Sequence, residues 1–231
     1  MRPSCFVPAG EKAGRVMGEG WLDRRFLPAY FPDADTISRV LGGLHTMKEP
    51  DLHVLFVCTG NICRSPIAER LAAATVLGAD APQITVSSAG VRAVVGHPIH
   101  PSAALVLEGM GGQSENFAAR QFTPRIGAGA DLIVAMAVKH RDTVLQHAPA
   151  LFRRTFTMSE LTILVGELGV TTIADLSGLR AHVPQRELVD VADPIGRDLS
   201  TFQEVGEQIA AALPSLLKFC GGCVAAEPGQ R

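Results

Sequence analysis

The feature that most limits how this chain can fold is a short apolar run ending on a cysteine. Residues 53–57 read HVLFV, and the next eight read Cys58-Thr59-Gly60-Asn61-Ile62-Cys63-Arg64-Ser65. A run rich in β-branched and aromatic residues, with no polar alternation, is the pattern of a strand buried on both faces. Such a strand needs a layer of structure on each side. The helical pattern that follows, SPIAERLAAATVLG over 65–78, places Ile67, Leu71, Ala74 and Leu77 on one stripe. Pro66 suits a helix start and Gly78 a helix stop.

The alternation continues along the chain. QITVSSAG (83–90), ADLIVAM (130–136) and RTFTM (154–158) read as further strands, and PSAALVLEGMG (101–111) and VKHRDTVLQHA (138–148) as helices. STFQEVGEQIAAALPSLLKFC (200–220) reads as a final helix, interrupted or kinked at Pro214. Residues 166–192 read as a long, partly irregular connection. Strands alternating with helices predict an α/β three-layer sandwich, a parallel sheet covered on both faces. The expected domain spans 51–220, followed by a tail over 221–231. Residues 1–50, rich in Gly, Pro and Arg, read as a weakly ordered extension, with translation from Met47 as the other reading.

Charge narrows the function. Lys and Arg number 21 against 23 Asp and Glu, so the net charge of −2 gives no long-range attraction for nucleic acid or an anionic membrane. An anionic substrate must be held by a local site. Five cysteines (Cys5, Cys58, Cys63, Cys220 and Cys223) make a poor disulfide framework. With no secretory signal and no run of ~20 apolar residues, the expectation is a soluble protein of the reducing cytoplasm. The seven histidines show no metal spacing, so neither metal nor cofactor is expected. His97, His100 and His140 are expected at the surface or in loops. Cys220-Gly221-Gly222-Cys223 has no partner pair for zinc and no redox context, and is expected to be inert.

The loop after the first strand suits phosphoryl chemistry. A loop between a strand's carboxyl end and a helix N-terminus presents unpaired backbone N–H groups, a ready anion cradle. Thr59, Gly60, Asn61, Ile62, Cys63 and Ser65 are therefore the candidate substrate-binding positions. Gly60 allows a tight backbone path. Arg64 offers a planar fork for two phosphate oxygens. N–H groups, a helix dipole and a guanidinium together favour a thiolate, which makes Cys58 the candidate nucleophile. Ser65 is placed to donate to that sulfur and Asn61 to brace the loop. The bland alternative is a buried structural cysteine beside an arginine that caps a sheet edge.

VCTGNICRSPIAE (57–69) resembles the phosphate-binding loop of low-molecular-weight protein-tyrosine phosphatases. The likeness extends to SSAG (87–90), VGHP (95–98), ARQFTP (119–124), ADLIVAM (130–136) and Asp193-Pro194, roughly residues 53–219. The SSAG–VGHP variant is similar to bacterial members linked to export of surface polysaccharide. The resemblance implies a four-stranded parallel sheet, Cys58 and Arg64 as catalytic residues, Asn61 and Ser65 as loop supports, and Ser88 as partner of Asn61. It also places the general acid at Asp193, where the residues alone favour an ordinary Asp-Pro turn and where Asp190 and Asp198 compete. The acid would protonate the leaving phenol, whose pKa is ~10, then activate the water that cleaves phosphocysteine. The implied partner is a phosphorylated protein. Cys63 reads either as a redox guard of Cys58 or as a filler of buried space.

The resemblance fails in places. Val94 and Ile195 stand where the family carries an aromatic wall, and Ala137 where it often has an acid. The 166–192 connection is longer than usual and is expected to be able to shift Asp193. Two other functions stay open: arsenate reduction through the same loop, relayed by Cys63, Cys220 or Cys223 or by an external thiol, and a non-catalytic phospho-binding module.

Overall fold

β1 (Leu52–Cys58) occupies an inner position of a four-stranded parallel sheet. The computed structural model describes residues 52–77 and 84–226, and the extension expected over residues 1–50 lies outside the described residues. β1 pairs with β2 (Ile84–Gly90) on one side and β3 (Leu132–Ala135) on the other. β4 (Thr155–Thr157) adds to β3, giving the order β2-β1-β3-β4. Parallel neighbours require crossover connections, and helices supply them. These are α1 (Arg64–Leu77), α2 (Pro101–Gly109), α3 (Pro124–Ala128), α4 (Val138–His147), α5 (Met158–Gly166), α6 (Ile173–Leu179) and α7 (Leu199–Ala226).

The period-2 alternation of β1 divides the core into two layers. Leu52, Val54, Phe56 and Cys58 face the larger one, with Ile67, Leu107, Leu164, Phe202 and Ile209. Leu55 and Val57 face the smaller one, with Phe122, Ile133, Val144 and Leu151. The expected three-layer sandwich is the observed fold. α1 buries Ile67, Ala68, Leu71 and Ala72, whereas Ala74 is exposed. The stripe therefore turns one position from the expected one, with small alanines set into the core cluster.

The structure also differs from expectation after β4. α5 begins at once, where no helix was expected. It is closed by a capping box: Glu160 N donates to Thr157 Oγ1 (3.1 Å) and Thr157 N to Glu160 Oε2 (2.6 Å). α6 starts at Thr172, whose hydroxyl accepts from Asp175 N. The connection is thus more regular than its composition suggests. Arg180, just beyond α6, ties it to the sheet. Its guanidinium lies 4.5 Å from the Phe152 ring and 4.0 Å from that of Phe156, and donates to the Phe152 and Thr155 carbonyls.

α7 runs through Pro214 without ending, and continues through Gly221 and Gly222 to Ala226, past the expected stop at Cys220. Residues 221–226, expected to open the tail, are helical. The reason is packing: Phe202, Val205, Ile209, Leu213, Leu216, Cys220 and Cys223 form one continuous buried stripe. That burial outweighs the local penalties of one proline and two glycines. Among the described residues no helix is long and apolar enough to cross a membrane.

Gly90 closes β2 against the loop that follows β1. A Cβ there would stand 2.5 Å from Thr59 O and 2.9 Å from Asn61 N, both rigid backbone atoms. Gly90→Ala is expected to destabilise the chain by about 1–3 kcal/mol, the usual range for overpacking. Urea denaturation of the variant beside Gly206→Ala, whose clash is with the side chains of Val106 and Met110 rather than with backbone, checks this; the Gly90 change should cost more.

Candidate active site

The segment from Cys58 to Ser65 leaves the end of β1 and enters α1. Its carbonyls are tied outward: those of Cys58, Thr59, Gly60 and Ile62 accept from the backbone N–H groups of Val91, Arg92, Val94 and His100, at 2.8–2.9 Å. With the carbonyls turned out, the peptide N–H groups turn in. Among the described residues, none of the backbone N–H groups of 59–63 donates to a protein acceptor. The result is a concave row of donors at a helix N-terminus, suited to an oxyanion.

The tight turn expected at Gly60 is made one residue later. Asn61 has φ +55°, the left-handed region that asparagine tolerates better than most residues. Its amide is fully buried and satisfied. Nδ2 donates to Ser65 Oγ (3.0 Å) and Ser88 Oγ (2.8 Å), while Oδ1 accepts from Arg120 N (2.8 Å). Ser88 in turn donates to Glu69 Oε2 at 2.5 Å. Because both hydroxyls accept from Asn61, their protons point onward, Ser88's to Glu69 and Ser65's to the Cys58 sulfur 3.0 Å away. Burial pushes the Glu69 carboxyl above its ordinary range, against the lowering effect of Ser88, Arg70 and Arg120.

Arg64 lies under the mouth and is almost wholly buried. Nη1 donates to Val191 O (3.1 Å), and Nη2 to Asp193 Oδ2 (2.6 Å) and, more weakly, to Thr59 Oγ1 (3.4 Å). Its Nε is buried with no protein partner among the described residues. Asp193 reaches this place because the chain before it is pinned. Asp190 Oδ1 accepts from Val138 N (2.8 Å), and Val191 N donates to Met136 O (2.8 Å). The long 166–192 connection therefore does not carry Asp193 away. The two competing acids have other work: Asp190 caps α4, and Asp198 caps α7 by accepting from Thr201 N and the hydroxyls of Ser200 and Thr201. Those hydrogen bonds hold the Asp198 carboxyl below the ordinary range.

A family model described as low molecular weight phosphotyrosine protein phosphatase matches residues 53–171. The chain belongs to that family. It is 36% identical over 176 residues to the low molecular weight protein-tyrosine phosphatase A of Mycobacterium bovis, covering 74% of this chain and 91% of the relative. It is 31% identical over 156 residues to the probable low molecular weight protein-tyrosine-phosphatase EpsP of Ralstonia nicotianae, covering 68% of this chain and 87% of that one. Among solved structures, the low molecular weight protein tyrosine phosphatase from T. tengcongensis superposes with a TM-score of 0.57 at 29% identity, covering 72% of this chain and 98% of that one.

All ten positions singled out from the sequence of this phosphatase-family chain fall in one place: Cys58, Thr59, Gly60, Asn61, Ile62, Cys63, Arg64, Ser65, Ser88 and Asp193. Cys63 is buried, and its thiol is pushed up to about 12, first by burial and then by Cys58 and Asp193. It is protonated at neutral pH. Val94 and Ile195 flank the mouth and are exposed, at 39% and 49%. Among the described residues no cluster of His, Cys, Asp or Glu is arranged to hold a metal ion.

One expectation fails outright. His140 is not at the surface but 1% exposed, with Nε2 2.8 Å from Thr59 Oγ1. Its position in α4, three residues from the end of a buried strand-and-turn segment, was the only sequence signal. Burial lowers its pKa from 6.5 to about 4, helped by the charges of Arg64 and Lys139 and opposed by Asp193. An unfolded histidine takes up a proton as pH falls through 6.5, while folded His140 stays neutral until about 4. Stability is therefore full above 6.5 and falls across that window, by on the order of 3 kcal/mol. Urea denaturation of wild type and His140→Gln at pH 7.5 and pH 4.5 tests this; the variant should show a smaller loss.

Proposed function

We propose that this chain is a protein-tyrosine phosphatase that hydrolyses phosphotyrosine in proteins through a phosphocysteine intermediate. The observation that carries the reading is the convergence at Arg64: the Cys58 loop, an inward row of N–H groups and the Asp193 carboxyl meet around one buried guanidinium. The names of the relatives support it.

In this mechanism the loop N–H groups and Arg64 hold the three non-bridging oxygens of the phosphoryl group. The arriving dianion displaces Asp193 from Arg64, and the carboxyl swings toward the bridging oxygen. The Cys58 thiolate attacks phosphorus, an S–P bond forms, and the P–O bond to the phenol breaks as Asp193 gives up its proton. Water then attacks phosphorus, Asp193 takes a proton from it, and the S–P bond breaks to return thiolate and inorganic phosphate. The Ser65 hydroxyl stabilises the sulfur each time it carries charge. No cofactor enters. A thiolate nucleophile works only while reduced, which supports a cytoplasmic setting. Arsenate reduction through a thiol relay is less favoured, because the Cys220 thiol is buried in α7 and pushed up to about 12 by burial and Cys223.

Cys58→Ser is expected to bring hydrolysis of an aryl phosphate to background while orthovanadate still binds. Asp193→Ala should slow hydrolysis of a phenyl phosphate by about 10²–10⁴-fold and that of a nitro-activated ester far less, as removal of a general acid requires. Steady-state kinetics with a leaving-group series decide both. Residual turnover by the serine variant would sink the reading, and an equal loss across the series would remove Asp193 from the acid's role. Thiol-dependent production of arsenite from arsenate would favour the alternative.

A further inference from the structure

His140 is a buried base whose ring makes one hydrogen bond among the described residues, and that bond goes to the loop. Nε2 lies 2.8 Å from Thr59 Oγ1, while Nδ1 is buried with no partner among the described residues. A neutral imidazole carries one proton, and its place can be deduced. A proton on Nδ1 would leave a buried N–H donor without an acceptor, one of the costlier defects in a folded protein. A proton on Nε2 leaves only a bare lone pair at Nδ1 and makes Nε2–H the donor to Thr59. The second tautomer wins. The doubly protonated form is disfavoured by burial and by the nearby charges of Arg64 and Lys139, which outweigh Asp193.

The consequence falls on Thr59. Its oxygen accepts from His140 Nε2–H and, at 3.4 Å, from Arg64 Nη2. Both lone pairs are then engaged, and the hydroxyl proton is left to point elsewhere. Thr59 follows Cys58 directly and is half-buried, and the guanidinium nitrogen it meets also holds Asp193. We infer that His140, in its neutral Nε2–H form, is a positioning residue that fixes the Thr59 hydroxyl as a hydrogen-bond donor to the phosphoryl oxygens bound beside Arg64. The imidazole touches neither substrate nor sulfur. It acts through Thr59 alone. The donor's purpose rests on the phosphatase reading, but its tautomer does not.

Two measurements test the inference on the full chain. Nitrogen-15 NMR at pH 7, with the His140 signals identified by their loss in His140→Gln, should show a neutral ring protonated at Nε2. A proton on Nδ1, or an imidazolium, overturns the proposal whatever the enzyme does. Next, turnover of an aryl phosphate and binding of inorganic phosphate are compared in His140→Leu, His140→Gln, Thr59→Val and the Leu/Val double variant. His140→Leu and Thr59→Val should each lose about tenfold in kcat/KM and weaken phosphate binding, as loss of a hydrogen bond to a charged group implies. His140→Gln, whose amide can donate to Thr59, should recover most of the loss. The double variant should be no worse than either single one. Multiplied losses in the double variant, or no recovery by Gln, overturn the route through Thr59. If His140→Leu fails to fold, the Gln variant in wild-type and Thr59→Val backgrounds and the NMR result decide. Absence of turnover in wild type would instead strike the phosphatase reading, leaving the tautomer and phosphate binding to judge His140.

Discussion

The buried amide of Asn61 is the joint on which the site depends. It sits in a left-handed backbone conformation that costs of order 1 kcal/mol or more for a residue with a side chain, and it stays there because all three of its hydrogen bonds are made inside the protein. Those bonds reach α1 through Ser65, β2 through Ser88, and the segment before α3 through Arg120. One side chain thus fixes the loop to three parts of the fold. It also sets a direction: with Asn61 donating to both serines, Ser65 has its proton free for the sulfur. Glu69, accepting from Ser88, secures that direction from the far end. A hydrogen-bond chain with every polarity fixed holds its geometry without a side chain having to reorganise during the reaction.

The second constraint joins distant parts of the chain. Arg64 opens α1, yet its guanidinium is held by Val191 and Asp193, more than a hundred residues later. For that contact to survive, variation in the connection between α5 and residue 190 must not reach the site. Two arrangements prevent it. Upstream, Arg180 is clasped by the Phe152 and Phe156 rings, and Glu160 pairs with Arg141 at 2.6 Å. Downstream, Asp190 and Val191 are fastened to the start of α4 and the end of β3. Movement within the connection is confined between these anchors.

Much of this is legible in the chain, and what is not has a different physical cause in each element. β1, the loop and α1 are readable because their signals are local: an apolar run, a glycine-containing loop with Cys58 and Arg64 between strand and helix, and a proline at a helix start. α5 and α6 are hard to read from the chain although their caps are also local, Thr157 with Glu160 and Thr172 with Asp175. The strand pattern of RTFTM and the polar composition of 166–192 masked them. The end of α7 is hidden in the sequence because Gly221 and Gly222 look like a stop, whereas burial of Cys220 and Cys223 against the core keeps the helix going. The burial of His140 is not legible in the sequence because the partner that explains it, Thr59, is 81 residues away.

By itself the sequence determined the layered parallel sheet and the functional groups that the loop carries, since hydrophobic period, turn residues and functional-group identity are properties of neighbouring residues. Only the tertiary structure decided which residue takes the left-handed turn, that Asp193 rather than Asp190 or Asp198 faces Arg64, and that a histidine lies buried behind Thr59. Each of these depends on which distant groups fill a donor's or acceptor's valence once water has been excluded, and that is settled by the packed fold.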